Sequence, residues 1–152
     1  MKKYIFLTLL SLNLLLFACG DSSDETANND VDSSNEKSSL SIIMNEWDVK
    51  PTPNYKMGKH INPGDLNITL TNAGQLEHNL FVLNQSSYDN FNILDDGTAD
   101  LSEIEVLLEI DNVMPGSNGT GSISNLVPGT YAFICNVPGH YASGTVGKFI
   151  VR

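Results

Sequence analysis

At 152 residues with 41% hydrophobic content, the chain has room for one domain with a proper core and no more. Its formal net charge is −10, and Lys and Arg cluster nowhere, which argues against nucleic acid and anionic phosphate ligands as partners. Only two cysteines are present, Cys19 and Cys135, too few for a disulfide framework.

The chain opens with Lys2 and Lys3, followed by an apolar run from Tyr4 to Phe17 broken only by Thr8, Ser11 and Asn13. That run is short for a membrane span, which needs about twenty apolar residues. Leu16-Phe-Ala-Cys19 resembles a bacterial lipoprotein cleavage box. The resemblance implies removal of residues 1–18 as a signal peptide and acylation of Cys19, whose acyl chains would anchor the product to a membrane. An ordinary secretory signal ending at a chance Cys is the alternative. Residues 19–39 then read as an acidic, disordered tether, because Asp, Glu, Ser and Asn dominate and Ala27 and Val31 are the only apolar members after Gly20. The expected localisation is the cell envelope, with the domain facing the periplasm or the cell exterior.

From residue 40 to 152 the pattern is mostly of period two with Gly and Pro turns between, which predicts an all-β domain of short strands. Leu40, Ile42 and Met44 alternate with polar neighbours, and Pro51, Pro53 and Asn54 break the run. Leu66, Ile68 and Leu70 alternate behind the turn Asn62-Pro63-Gly64-Asp65. A short apolar strand, Leu80 to Leu83, follows His78. Ile123 and Leu126 precede the Pro128-Gly129 turn, which launches Tyr131, Phe133 and Cys135 on one face of a strand. Val146 to Val151 closes the chain. The expected architecture is an antiparallel sandwich of two sheets. Between residues 83 and 105 the pattern changes. Asp100 and Glu103 fit a capping box and Leu101, Ile104, Leu107 and Leu108 a helical face, so a short helix over 99–104 is expected before a strand.

Three residues carry chemistry. Cys135 would stand as an unpaired thiol in an oxidising compartment, a liability unless it has a role. His140 follows it at the spacing C-x4-H across Pro138-Gly139, and His78 lies in the upstream triplet Glu77-His78-Asn79. One thiolate and two imidazoles from separate loops form the ligand set of a trigonal blue-copper centre, usually completed by a weak axial donor. The position five residues beyond His140 holds Thr145. A hydroxyl there leaves three possibilities: a three-coordinate site, a site with axial water, or a site not selective for copper. Met44, Met57 and Met114 lie outside the ligand loops and are assigned to core packing. His60 has no ligand companions and reads as a surface histidine. Trp47 reads as core or a sheet-edge anchor, and Tyr141 as packing or a shield for the site.

Asn72-Ala-Gly74, Glu77-His78-Asn79, Pro128-Gly129-Thr-Tyr131 and Cys135-x-x-Pro138-Gly139-His140 together resemble the cupredoxins of the plastocyanin and azurin family, over about Leu40 to Arg152. The resemblance implies an eight-stranded Greek-key sandwich with one copper ion per chain held by His78, Cys135 and His140. It further implies that Asn79 ties the ligand loops together and that a nearby amide bonds the Cys sulfur. Thr145 is the departure, because the family normally places Met there.

The function implied is single-electron transfer by a monomer between redox proteins such as cytochromes or membrane oxidoreductases, with the exposed edge of His140 passing the electron. The acids Asp89, Asp95, Asp96, Asp100, Glu103, Glu105, Glu109 and Asp111 could steer a basic partner or simply solvate a loop. Copper carriage or sequestration is the alternative from another class, and a metal-free interaction domain a third. A lone site of this kind offers no place for a substrate, so catalysis is not expected.

Overall fold

The computed structural model describes residues 37–152; the signal segment, Cys19 and nearly all of the tether region lie outside the described residues. Eight strands follow in order: β1 (Ser38–Asn45), β2 (Asp48–Thr52), β3 (Gly64–Asn72), β4 (His78–Leu83), β5 (Val106–Val113), β6 (Asn118–Leu126), β7 (Gly129–Ile134) and β8 (Val146–Val151). They form two four-stranded sheets, β2-β1-β3-β6 and β5-β4-β7-β8. A single 3-10 turn, Tyr55–Met57, lies between β2 and β3.

The alternating apolar residues of β1, β3 and β4 meet face to face in the main core. Leu40, Ile42, Met44, Leu66, Ile68, Leu70, Leu80 and Val82 are all buried there with Phe133 and Phe149. β7 is buried on both faces, which explains why Tyr131 to Cys135 contains no polar residue. Its outward face, Ala132 and Ile134, forms a second cluster with Leu83 and Tyr141 beneath Tyr88, Phe91, Leu101 and Ile104.

Two expectations are corrected. The sheets are not wholly antiparallel, because β1 pairs with β3 in parallel. After β2 the chain returns past the 3-10 turn, so β3 starts beside Ser38 and runs the same way; period-two patterning carries no information on strand direction. Pro51 sits inside β2 instead of ending it, and β2 is an edge strand, where a missing N–H removes no necessary ladder bond.

The second correction is the helix over 99–104, which is a turn; among the described residues there is no α-helix. The Asp100 carboxylate accepts the Ser102 amide at 3.0 Å and the Ile104 amide reaches Leu101 O at 3.0 Å. An Asp side chain that captures a nearby amide competes with helix propagation. The Asn84 amide then bonds Glu105 O, which commits the next residues to β5. Leu101 and Ile104 do face inward as the helical pattern required, but from an irregular segment.

Candidate metal centre

β4 begins at His78 and β7 ends at Ile134, and because the two strands are antiparallel both points lie at one end of the sandwich. Cys135 follows directly on β7. Its amide donates to Thr145 O at 2.9 Å, continuing the ladder in which Ile134 faces Val146. Residues 135–145 therefore form the connection of one hairpin. Within it the His140 amide bonds Val137 O and the Thr145 amide bonds His140 O at 3.1 Å, which curls the loop back over Cys135. Gly139 takes a φ of 81°, a backbone conformation that favours glycine.

The structure brings His78, Cys135 and His140 together, with one donor atom of each within 4.8 Å of the others. Both imidazoles present Nδ1 to the sulfur, His78 at 3.4 Å and His140 at 3.3 Å. All three residues are buried, and His78 Nε2 has no hydrogen-bond partner. Burial lowers the pKa of His78, helped by the neighbouring His140, and burial likewise lowers that of His140. Both rings are thereby kept neutral and able to donate a lone pair. Burial pushes the Cys135 thiol up, opposed by bonds from the Asn79 and Val137 amides. A bound cation would reverse that balance by taking the thiolate. Two neutral nitrogens and one sulfur converging in a buried pocket suit a metal that accepts both soft and borderline donors, and copper fits this set.

The surroundings fix these donors through the backbone. The Asn79 amide points at Cys135 Sγ at 3.5 Å, and Asn79 Oδ1 accepts the Asn136 amide at 2.6 Å. The Asn136 side chain in turn bonds both the amide and the carbonyl of Ala99, joining the turn segment to the loop. Asn72, fully buried, donates to Leu76 O and Val113 O and accepts the Gly74 amide, so the approach to His78 is also pinned.

Thr145 is buried, and its hydroxyl donates to Glu46 O at 2.8 Å. The side chain that occupies the family's axial position is thus spent on a backbone carbonyl of the β1–β2 turn. That turn also carries Trp47, which is 56% exposed and lies edge-on to His140. Trp47 is therefore neither core nor a simple edge anchor. His140 itself is only 4% exposed, far less than Trp47 beside it. Met44 is buried in the core as expected, whereas Met57 and Met114 are exposed and not packed there. His60 is exposed. Tyr141 packs against Phe91 and donates to Tyr88 O, a packing role. The acids between residues 89 and 111 are exposed apart from half-buried Asp100, and Asp96 and Asp100 cap local turns.

Sequence reasoning missed Glu46 and the cover provided by Trp47. Both depend on a turn that meets the ligand loops only through the fold, and no local motif marks it.

A family model described as the sulfocyanin (SoxE) domain matches residues 27–152. Among solved structures, auracyanin from Roseiflexus castenholzii aligns with a TM-score of 0.52 at 20% identity, covering 75% of this chain and 96% of that one. Auracyanin A from Chloroflexus aurantiacus, described as a "blue" copper protein, aligns with a TM-score of 0.52 at 19% identity, covering 75% and 98%. A rusticyanin variant aligns with a TM-score of 0.52 at 18% identity, covering 75% and 76%. At such identities these likenesses speak for the fold alone. No curated protein matches the chain significantly.

Proposed function

Since this chain belongs to the sulfocyanin family, and so to the copper-binding electron carriers of cupredoxin type, we propose that His78, Cys135 and His140 hold its copper and that it moves single electrons between redox proteins at the cell envelope. The observation that carries the ligand assignment is the convergence of His78 Nδ1, Cys135 Sγ and His140 Nδ1 in one buried pocket. Copper, when bound, supplies the one-electron couple. The chain supplies everything else: two imidazoles held neutral by burial, a buried thiol that would release its proton to solvent when the metal displaces it, and donors placed at the ends of paired strands. A rigid donor set serves rapid electron transfer because little reorganisation accompanies the change in charge.

The envelope location rests on the lipobox-like Leu16-Phe-Ala-Cys19, and the partner class on the exposed acids from Asp89 to Asp111. Negative charge without interspersed Lys or Arg favours a basic partner such as a cytochrome. The protein transforms no substrate of its own. A monomer is part of the same reading, and it is consistent with one chain supplying the whole donor set.

Titration of the purified chain with copper(II), followed by visible and EPR spectroscopy, tests the ligand set. One equivalent should give an intense thiolate-to-copper band that vanishes in Cys135→Ser. A folded protein with no such band would sink the reading. Slow electron self-exchange in the loaded protein would favour copper carriage over electron transfer.

A further inference from the structure

The turn between β1 and β2 touches both ligand loops, and one residue in it does so twice. Glu46 Oε1 accepts the amides of Gln75 and Leu76, the residues that lead into Glu77 and His78. Glu46 O accepts the hydroxyl of Thr145, at the far end of the loop that carries Cys135 and His140. We propose that Glu46 is a positioning residue of the copper centre, its carboxylate holding the loop before His78 and its carbonyl the loop after His140.

Three independent features support a built seat for this side chain. Gly74 lies against it so closely that a Cβ there would stand 2.5 Å from Glu46 Oε1 and 3.1 Å from its amide nitrogen. Glu46 itself has a φ of 23°, a region rarely adopted by residues with side chains and retained only where surroundings hold it. The nearby ion pair of β2, Lys50 with Asp48, leaves the Glu46 carboxylate out, and the partners of that carboxylate are the two backbone amides. Thr145 gains a reason from the same arrangement. A thioether could not donate to Glu46 O, whereas a hydroxyl closes the link between the turn and the ligand loop.

The bland alternative is that Glu46 stabilises a surface turn and leaves the centre unaffected. The inference rests on the copper assignment for its spectroscopic arm, so the test carries a metal-free arm as well. Glu46→Ala and Glu46→Gln would be made in the full chain. Amide hydrogen exchange at Gln75 and Leu76, and the imidazole NMR signals of His78 and His140, would be read in the metal-free protein. The copper EPR spectrum and reduction potential would be read in the loaded one. Glu46→Ala should speed exchange at Gln75 and Leu76 by on the order of tenfold or more, through loss of a charged acceptor. It should also shift both imidazole signals and alter the copper hyperfine splitting. Glu46→Gln keeps an acceptor oxygen and should restore the exchange protection and the hyperfine splitting. Its loss of negative charge should leave the potential higher than in the parent, because Cu(II) is then less stabilised.

Faster amide exchange in Glu46→Ala with unchanged imidazole signals and an unchanged EPR spectrum would reduce Glu46 to turn glue and overturn the proposal. So would a Glu46→Gln protein that behaves like Glu46→Ala in exchange and splitting. If the parent protein shows no thiolate-to-copper band, the copper assignment fails separately. The imidazole signals of the metal-free variants would still decide whether Glu46 positions the two histidines.

Discussion

Trp47 stands edge-on to His140, with ring centroids 5.7 Å apart and planes inclined by 76°. The indole takes the solvent exposure that the imidazole lacks, at 56% against 4%. A partner approaching this part of the molecule therefore touches far more of Trp47 than of His140.

Removing that cover should bring small reagents closer to the centre. Trp47→Ala is expected to react several-fold faster than the parent with a small cationic cobalt(III) oxidant, measured by stopped flow on the reduced copper protein. The visible spectrum should hold, because the sulfur contacts come from His78, Asn79, Val137 and His140 and none from Trp47. An unchanged rate would mean that electrons leave by another face.

Thr145→Val keeps shape and deletes one donor. Glu46 O would lose its only hydroxyl partner in a part-buried setting, which should destabilise the fold by about 1–3 kcal/mol. Urea unfolding of the metal-free chain measures this directly. No shift in midpoint would show that water replaces the hydroxyl at no cost.

Stability of the metal-free protein should be bounded on both sides in pH. His78 and His140 have folded pKa values below the ordinary 6.5, so the unfolded chain binds more protons as pH falls through that value. Stability should decline from about pH 7 downward until the folded values are reached. Cys135 has a folded pKa above the ordinary 9.0, so above that pH the unfolded chain loses a proton that the folded one keeps. Stability should decline there as well. Denaturation midpoints from pH 5 to 10 should trace this dome, and Cys135→Ser should flatten its alkaline side.

Gly97 makes a sharper steric test. A Cβ on it would lie 2.8 Å from the Gly139 Cα, and its φ of 81° already disfavours a side chain. Gly97→Ala should destabilise by about 1–3 kcal/mol or more and loosen the ligand loop. Gly116→Ala, with φ of 73° and nothing within 4 Å, isolates the backbone part and should cost about 1 kcal/mol. Equal effects of the two would discount the contact with Gly139.

Much of this molecule is written locally. Alternation in Leu40-Ile42-Met44 and Leu66-Ile68-Leu70 marks buried strand faces, because side chains in a strand point to opposite sides in turn. The C-x4-H spacing around Pro138-Gly139 marks a tight loop between strand ends. Direction is not so written: nothing in β1 or β3 says that they pair in parallel. The failed helix at 99–104 shows the same limit, since an irregular turn half-buries Leu101 and Ile104 on the side that the helical spacing would require. Glu46 and Thr145 are 99 positions apart, and their bond exists only once both sheets are assembled. A separation of that size leaves no trace in local spacing.

The register of β7 with β8 has a consequence for how such a centre can change. Ile134 faces Val146, and everything between them, including Cys135 and His140, is the bend of a single hairpin. Two of the three donors thus ride on a cassette whose ends are set by strand pairing and whose interior is held by contacts with Asn79, Tyr88 and Ala99 instead. Lengthening or shortening the bend would retune the metal without redrawing either sheet. His78, fixed at the head of β4, is by contrast the datum against which every such variation is measured.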